Sequence, residues 1–115
     1  MFVPDWILLN NKKINSIAVV YGMIDALVLS SLRIPVTTST SGKLTFKAEW
    51  LKDYRKAIYV IPDKGEDKDA FRLASELGWR GRVIKLNYSG NIKDPAGYAE
   101  NGLQSELLNQ LGGLT

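Results

Sequence analysis

The stretch V19-V-Y-G-M-I-D-A-L-V-L29 decides how the chain is read. Two valines and a tyrosine end an apolar run, Gly22 turns the chain, and an apolar segment without Gly or Pro follows. The run "SIAVVY" over 16–21 is continuous and β-branched, as in a parallel strand covered on both faces. Residues 23–32 are apolar nearly all round, which predicts a well-buried helix. Strand, tight turn and helix is how many nucleotide-handling α/β domains begin. A carboxylate would be useful at the strand end, but Tyr21 stands there, and the first acid is Asp25.

The same alternation continues along the chain. "IPVTTST" over 34–40 predicts a second strand, with Pro35 near its start where a missing N–H is tolerated. Residues 43–54 predict an amphipathic helix with Leu44, Ala48 and Leu51 on one face. "KAIYVIP" over 56–62 is the clearest strand, stopped by Pro62. Residues 66–77 predict a helix with Ala70, Leu73, Ala74 and Leu77 inward, acids in its first turn, and Gly78 at its end. "RVIKLN" over 82–87 predicts a fourth strand, followed by a loop containing Gly90, Pro95 and Gly97 and a short helix over 103–111. Residues 1–15 read as an N-terminal arm or short strand, and 16–112 as one α/β domain. The fold class is α/β: a compact Rossmann-like parallel sheet of about four strands flanked by helices. In a 2-1-3-4 strand order the ligand edge lies between the first and third strands, where Tyr21-Gly22 and Asp63 would face each other.

Composition narrows the chemistry. The 115 residues include no cysteine and no histidine. Disulfides, thiolate nucleophiles, histidine triads and Cys/His zinc sites are thereby excluded. Chemistry would fall to carboxylates, Lys, Tyr, Ser/Thr or a bound ion. No apolar run approaches the roughly 18 residues of a membrane span, and "MFVPDWILLNN" has no basic start of a secretory signal. A cytoplasmic location without a membrane partner is expected. The net charge of +3 mildly favours a polyanionic partner. "TSTSGKLT" is not a phosphate-binding P-loop: Thr37 stands where the first Gly is needed and Leu44 where Ser or Thr must follow Lys43.

Asp63 follows "YVIP" at a strand end, Asp25 opens the first helix, and Asp94 follows the fourth strand in "IKDPAGY". Each has an ordinary alternative, as a cap, a dipole partner or a turn residue. Three carboxylates on matching strand-end loops suit a hard cation such as Mg²⁺. Lys43, Lys47, Lys52, Arg55 and Lys56 make a basic flank that is either a solvated face or a phosphate-tracking surface. Tyr59, Tyr88 and Trp79 are either core or base-stacking residues.

Over roughly 17–102 the chain resembles the Toprim domain of bacterial-type DNA primases, topoisomerases and OLD-type nucleases, and is most similar to the primase version. "VVYGMIDALVL" is similar to the V-E-G-Y-M-D block, "YVIPDKGEDKDAFRLASEL" to the D-x-D block, and "VIKLNYSGNIKDPAGY" to the closing acid-Pro block. The resemblance implies metal-dependent nucleotidyl transfer or phosphodiester chemistry. It places catalytic roles on Asp63 and Asp25. It places Mg²⁺ or Mn²⁺ ligation on Asp63, Asp25 and Asp94, with Glu66 or Asp67 as substitutes after a local shift. Nucleic-acid contacts are expected from Lys43, Lys47, Lys64 and Tyr21. DNA or RNA, nucleotides and a larger replication protein are the expected partners.

The family's first Glu falls on Tyr21, the second Asp of D-x-D on Gly65, and an acid after the last Pro on Ala96. Loss of carboxylates lowers the affinity of a Mg²⁺ site, and a phenol of ordinary pKa about 10 is no base near neutrality. Three functions therefore stand open: a primase-like enzyme, an inactive nucleic-acid-binding or assembly module, and a small-ligand or receiver-like α/β domain.

Overall fold

The computed structural model describes residue 3 and residues 14–39 and 46–111. The expected arm over 1–15 lies outside the described residues except for Val3, Ile14 and Asn15, and Lys43 and the tail from 112 lie outside them too. β1 (Ser16–Val20), β2 (Val36–Thr38), β3 (Ala57–Val60) and β4 (Gly81–Val83) form one sheet in the order β2-β1-β3-β4. Every pairing is parallel, with Ala18 opposite Val36 and Tyr59, and Ile58 opposite Gly81. The α/β fold with a four-stranded parallel sheet flanked by helices is the one expected.

Side chains alternate along β1, so the sheet separates two cores. Ala18 and Val20 join Leu29, Ile34, Val36, Ile61, Leu86, Tyr98 and Leu107 on one face. Ile17, Val19 and Tyr21 join Phe46, Leu51, Ile58, Val60, Leu73 and Leu77 on the other. The first face is covered by α1 (Met23–Ser31), α3 (Pro95–Glu100) and α4 (Gln104–Leu111), the second by α2 (Asp67–Leu77). Among the described residues no helix is long and apolar enough to cross a membrane.

α1 closes by the two hydrogen bonds of a Schellman ending, from Ile34 N–H to the Leu29 carbonyl and from Arg33 N–H to the Ser30 carbonyl, both 3.0 Å. Arg33, at φ 62, occupies the left-handed position usually given to Gly. Ile34 then packs with Leu29 in the first core.

Three segments depart from the expected elements. Residues 43–54 do not form an α-helix over their described part: Lys47 is extended (φ −112, ψ 132), and only Ala48–Leu51 coils, as a 3₁₀ turn. Phe46 and Leu51 are both buried, yet on an α-helix they would point about 140° apart. Burial of the phenylalanine wins over the helical face of Ala48 and Leu51. Arg80 takes the freed carbonyls, donating to Leu51 O at 2.5 Å and Tyr54 O at 2.6 Å.

β4 stops at Val83 instead of running to residue 87. Its neighbour β3 leads into Pro62, which has no N–H to continue the ladder. The chain beyond β4 turns Leu86 and Ile92 into the first core.

The expected loop around Pro95 contains α3. Asp94 is its N-cap, accepting from Gly97 N–H at 2.9 Å, and Pro95 fills the first turn, where it lacks only a surplus donor. Gly97 eases a close approach, since a Cβ there would lie 3.2 Å from Ile92 Cγ2, tighter than an ordinary contact.

Candidate metal centre

Asp25, Asp63 and Asp94 come from three segments of the chain and meet beyond the carboxyl ends of β1 and β3, where the strand order reverses. One carboxylate oxygen of each lies within 4.8 Å of the others. Each is held by local structure. Asp25 stands in the first turn of α1, and a Cβ on Gly22 would come within 3.2 Å of its Oδ2. The chain thus uses Gly22 to let the backbone approach this carboxylate. Asp63 begins a turn closed by Glu66 N–H to the Asp63 carbonyl at 3.0 Å, with Gly65 at φ 85. Such a φ at the third turn position favours Gly. Lys64 N–H donates to the Lys93 carbonyl at 2.7 Å and so ties this turn to the loop that carries Asp94.

Asp25 is 5% exposed, and its Oδ1 accepts from Ala96 N–H at 2.8 Å. Burial pushes its pKa up to about 7, and the charges of Asp94, Asp63 and Glu100 push the same way, while the Ala96 hydrogen bond opposes them. Glu100, at the last position of α3, was missed in the sequence because its relation to Asp25 depends on that short helix. Tyr88 also adjoins the cluster. Its hydroxyl donates to the Pro62 carbonyl at 2.8 Å, and burial together with Asp63, Asp25 and Asp94 raises its pKa.

The remaining sequence-derived candidates are not members of this three-carboxylate cluster. Tyr21 is 6% exposed and belongs to the second core. Burial, with Asp69 and Asp63 nearby, pushes its phenol up. Glu66 is at the N-cap position of α2. Asp67 pairs with Lys85 at 3.4 Å, both side chains half-exposed. Lys47 and Lys64 are exposed, and Lys43 is outside the described residues. Among the described residues the three aspartates form the one cluster of at least three acids close enough to share an ion. Their donors are hard oxygens, and Asp25 and Asp94 each spend one oxygen on a backbone N–H of α3, leaving the other for a cation.

No protein-family model and no curated protein matches the chain. Among solved structures it is similar to a primase domain in the structure of bacteriophage T7 lagging-strand DNA polymerase interacting with primase domains of two gp4 subunits bound to an RNA/DNA hybrid and dTTP. The TM-score is 0.57 at 20% sequence identity, covering 85% of this chain and 54% of that one. This chain therefore spans about half the length of its structural neighbour, with which it shares the fold.

Proposed function

We propose that the chain is a Toprim-like domain of nucleic-acid metabolism, similar to the primase version, in which Asp25, Asp63 and Asp94 hold one Mg²⁺ or Mn²⁺ beside a nucleotide or nucleic-acid phosphate. The convergence of three carboxylates within 4.8 Å from loops distant in sequence carries this reading. The likeness to a phage primase domain supports it at the level of the fold. A divalent ion at this place would neutralise phosphate charge and help orient an attacking oxygen. The protein's part is positional. Gly22 admits Asp25, the Gly65 turn presents Asp63, and the first turn of α3 orients Asp25 and Asp94 through Ala96 N–H and Gly97 N–H.

Tyr21 favours a second reading, a domain that binds nucleic acid without chemistry of its own. The position that resembles the family's glutamate carries a phenol, buried and raised in pKa, which cannot serve as a base near neutral pH.

Titration with Mg²⁺ or Mn²⁺, followed by amide NMR, tests the metal reading. Millimolar ion should shift the amides of Asp63, Lys64, Ala96 and Gly97, and Asp63→Asn should abolish the shifts while preserving the rest of the spectrum. No response at millimolar ion, or an unchanged response in the variant, overturns it. Nucleotidyl transfer with a primed template in Mn²⁺ then separates the enzyme from the silent domain, and affinity for oligonucleotides that falls steeply with salt checks the phosphate-tracking role of Lys47 and Lys64.

A further inference from the structure

Of the ten glycines in the chain, only Gly102 follows an asparagine. An Asn-Gly pair is chemically labile, because glycine has no side chain to keep its amide nitrogen away from the preceding carboxamide. Here the pair ends α3, and both residues are exposed. Gly102, at φ 71, takes the left-handed position of a Schellman ending. Its N–H donates to the Ala99 carbonyl at 3.1 Å, and Leu103 N–H donates to the Tyr98 carbonyl at 2.7 Å. Asn101 sends two donors to one acceptor: its N–H at 3.2 Å and its side-chain Nδ2 at 2.7 Å, both to the Gly97 carbonyl. The two groups that would have to meet are thus each held by α3. At its other end the same helix holds Asp25 through Ala96 N–H and Asp94 through Gly97 N–H. With six residues it is short enough for a change at one end to reach the other.

We propose that Asn101 is a modification site, converted without an enzyme to aspartate and isoaspartate through opening of the α3 ending. Once released from Ala99, the Gly102 nitrogen loses its proton and attacks Asn101 Cγ. The N–Cγ bond forms, the Cγ–Nδ2 bond breaks and ammonia leaves, closing a succinimide ring. Water then opens the ring. Attack at Cγ gives aspartate; attack at the backbone carbonyl carbon gives isoaspartate, whose main chain runs through the side-chain CH₂. One water is consumed, one ammonia is released, and nothing is oxidised or reduced. Both products lose the donor to Gly97 and place a carboxylate beside Glu100 at the negative end of α3. Isoaspartate also adds a backbone atom inside the turn closed by Gly102 and Leu103, which upsets the spacing of both bonds. Conversion therefore loosens the helix that positions Asp25 and Asp94. The inference needs no metal and stands apart from the metal reading.

Peptide mapping by mass spectrometry of the full chain, held in mildly alkaline buffer, tests this. A synthetic peptide of residues 97–106 serves as the unfolded reference. The chain should gain one mass unit at residue 101 and release ammonia. Conversion should be about ten- to hundredfold slower than in the peptide, because the hydrogen bonds of Asn101 Nδ2, Gly102 N–H and Leu103 N–H must open first. Urea below the unfolding transition should narrow that gap. Asn101→Gln should stop conversion at this residue, since the longer side chain must close a less favourable, larger ring. In the converted chain, amide exchange at Gly97, Gly102 and Leu103 should be faster than in the parent, and Asn101→Asp should show part of that loss. Equal rates in chain and peptide, an Asn101 left intact beyond the hundredfold span, or undiminished conversion at residue 101 in Asn101→Gln overturns the proposal. Unchanged amide exchange in the converted chain overturns its consequence for α3.

Discussion

Burial and neighbouring carboxylates push Asp25 up to about 7 from an ordinary 3.8. Between those values the folded chain binds a proton that the unfolded chain has lost, so stability falls as pH rises from about 4 to about 7 and stays reduced above. Asp25→Asn keeps an oxygen for Ala96 N–H and removes the charge. It should be more stable than the parent by about 2 kcal/mol at pH 8, below the roughly 4 kcal/mol upper bound of a three-unit shift. The gap should close near pH 4. Denaturant melts at both pH values check this, and equal stability at pH 8 contradicts it. The same variant should lose its Mg²⁺ response. Gly65 shows a different constraint on one residue. It stands where the resemblance places a second aspartate, yet φ 85 in the turn that presents Asp63 calls for glycine. An acid there would strain the loop that positions its neighbour.

Asp94 does two jobs at the start of α3, and substitution can part them. Asp94→Ala removes the side-chain acceptor for Gly97 N–H and should cost about 1 kcal/mol. Asp94→Asn retains an acceptor and should cost little, while both variants should lose the metal response; chemical denaturation alongside the ion titration reads the two effects. Where α2 meets β4 the tolerance is narrower. A Cβ on Gly81 would lie 2.3 Å from the Ala74 carbonyl oxygen, a backbone atom. Gly81→Ala should therefore push α2 off the sheet edge and cost about 3 kcal/mol, visible as a lower denaturation midpoint. The helix around Pro95 was legible in principle from the Asp-Pro pair, an N-cap followed by the favoured first-turn residue. Gly97 and the brevity of the segment concealed it.

Across the whole molecule the sheet keeps two cores apart. Leu29 is buried on one face and Leu73 on the other. Leu29→Ala and Leu73→Ala should each cost about 3 kcal/mol. Their effects should add to within about 0.5 kcal/mol, because the two sites share no packing partner. Equilibrium unfolding of the single and double variants checks this, and a large coupling would mean that the cores relax together. The two-sided sheet also explains the position of the candidate centre. Parallel strands direct their carboxyl ends to one edge, so loops distant in sequence deliver Asp25, Asp63 and Asp94 to the same rim.

The apolar runs over 16–21 and 56–62 and the helical periodicity over 66–77 were enough to identify the β/α alternation and hence a parallel sheet. They also placed the aspartates near strand ends, because local patterning encodes which faces are buried. The course of residues 46–54, the length of β4, the inward turn of Tyr21 and the pairing of Asp67 with Lys85 depended on folding in three dimensions. The first two were settled by competition, Phe46 against a helical face and Pro62 against a longer ladder; the other two came from segments distant in sequence meeting, Tyr21 in the second core and Lys85 at Asp67. Periodicity reports what one segment prefers, whereas burial and charge depend on which segments meet.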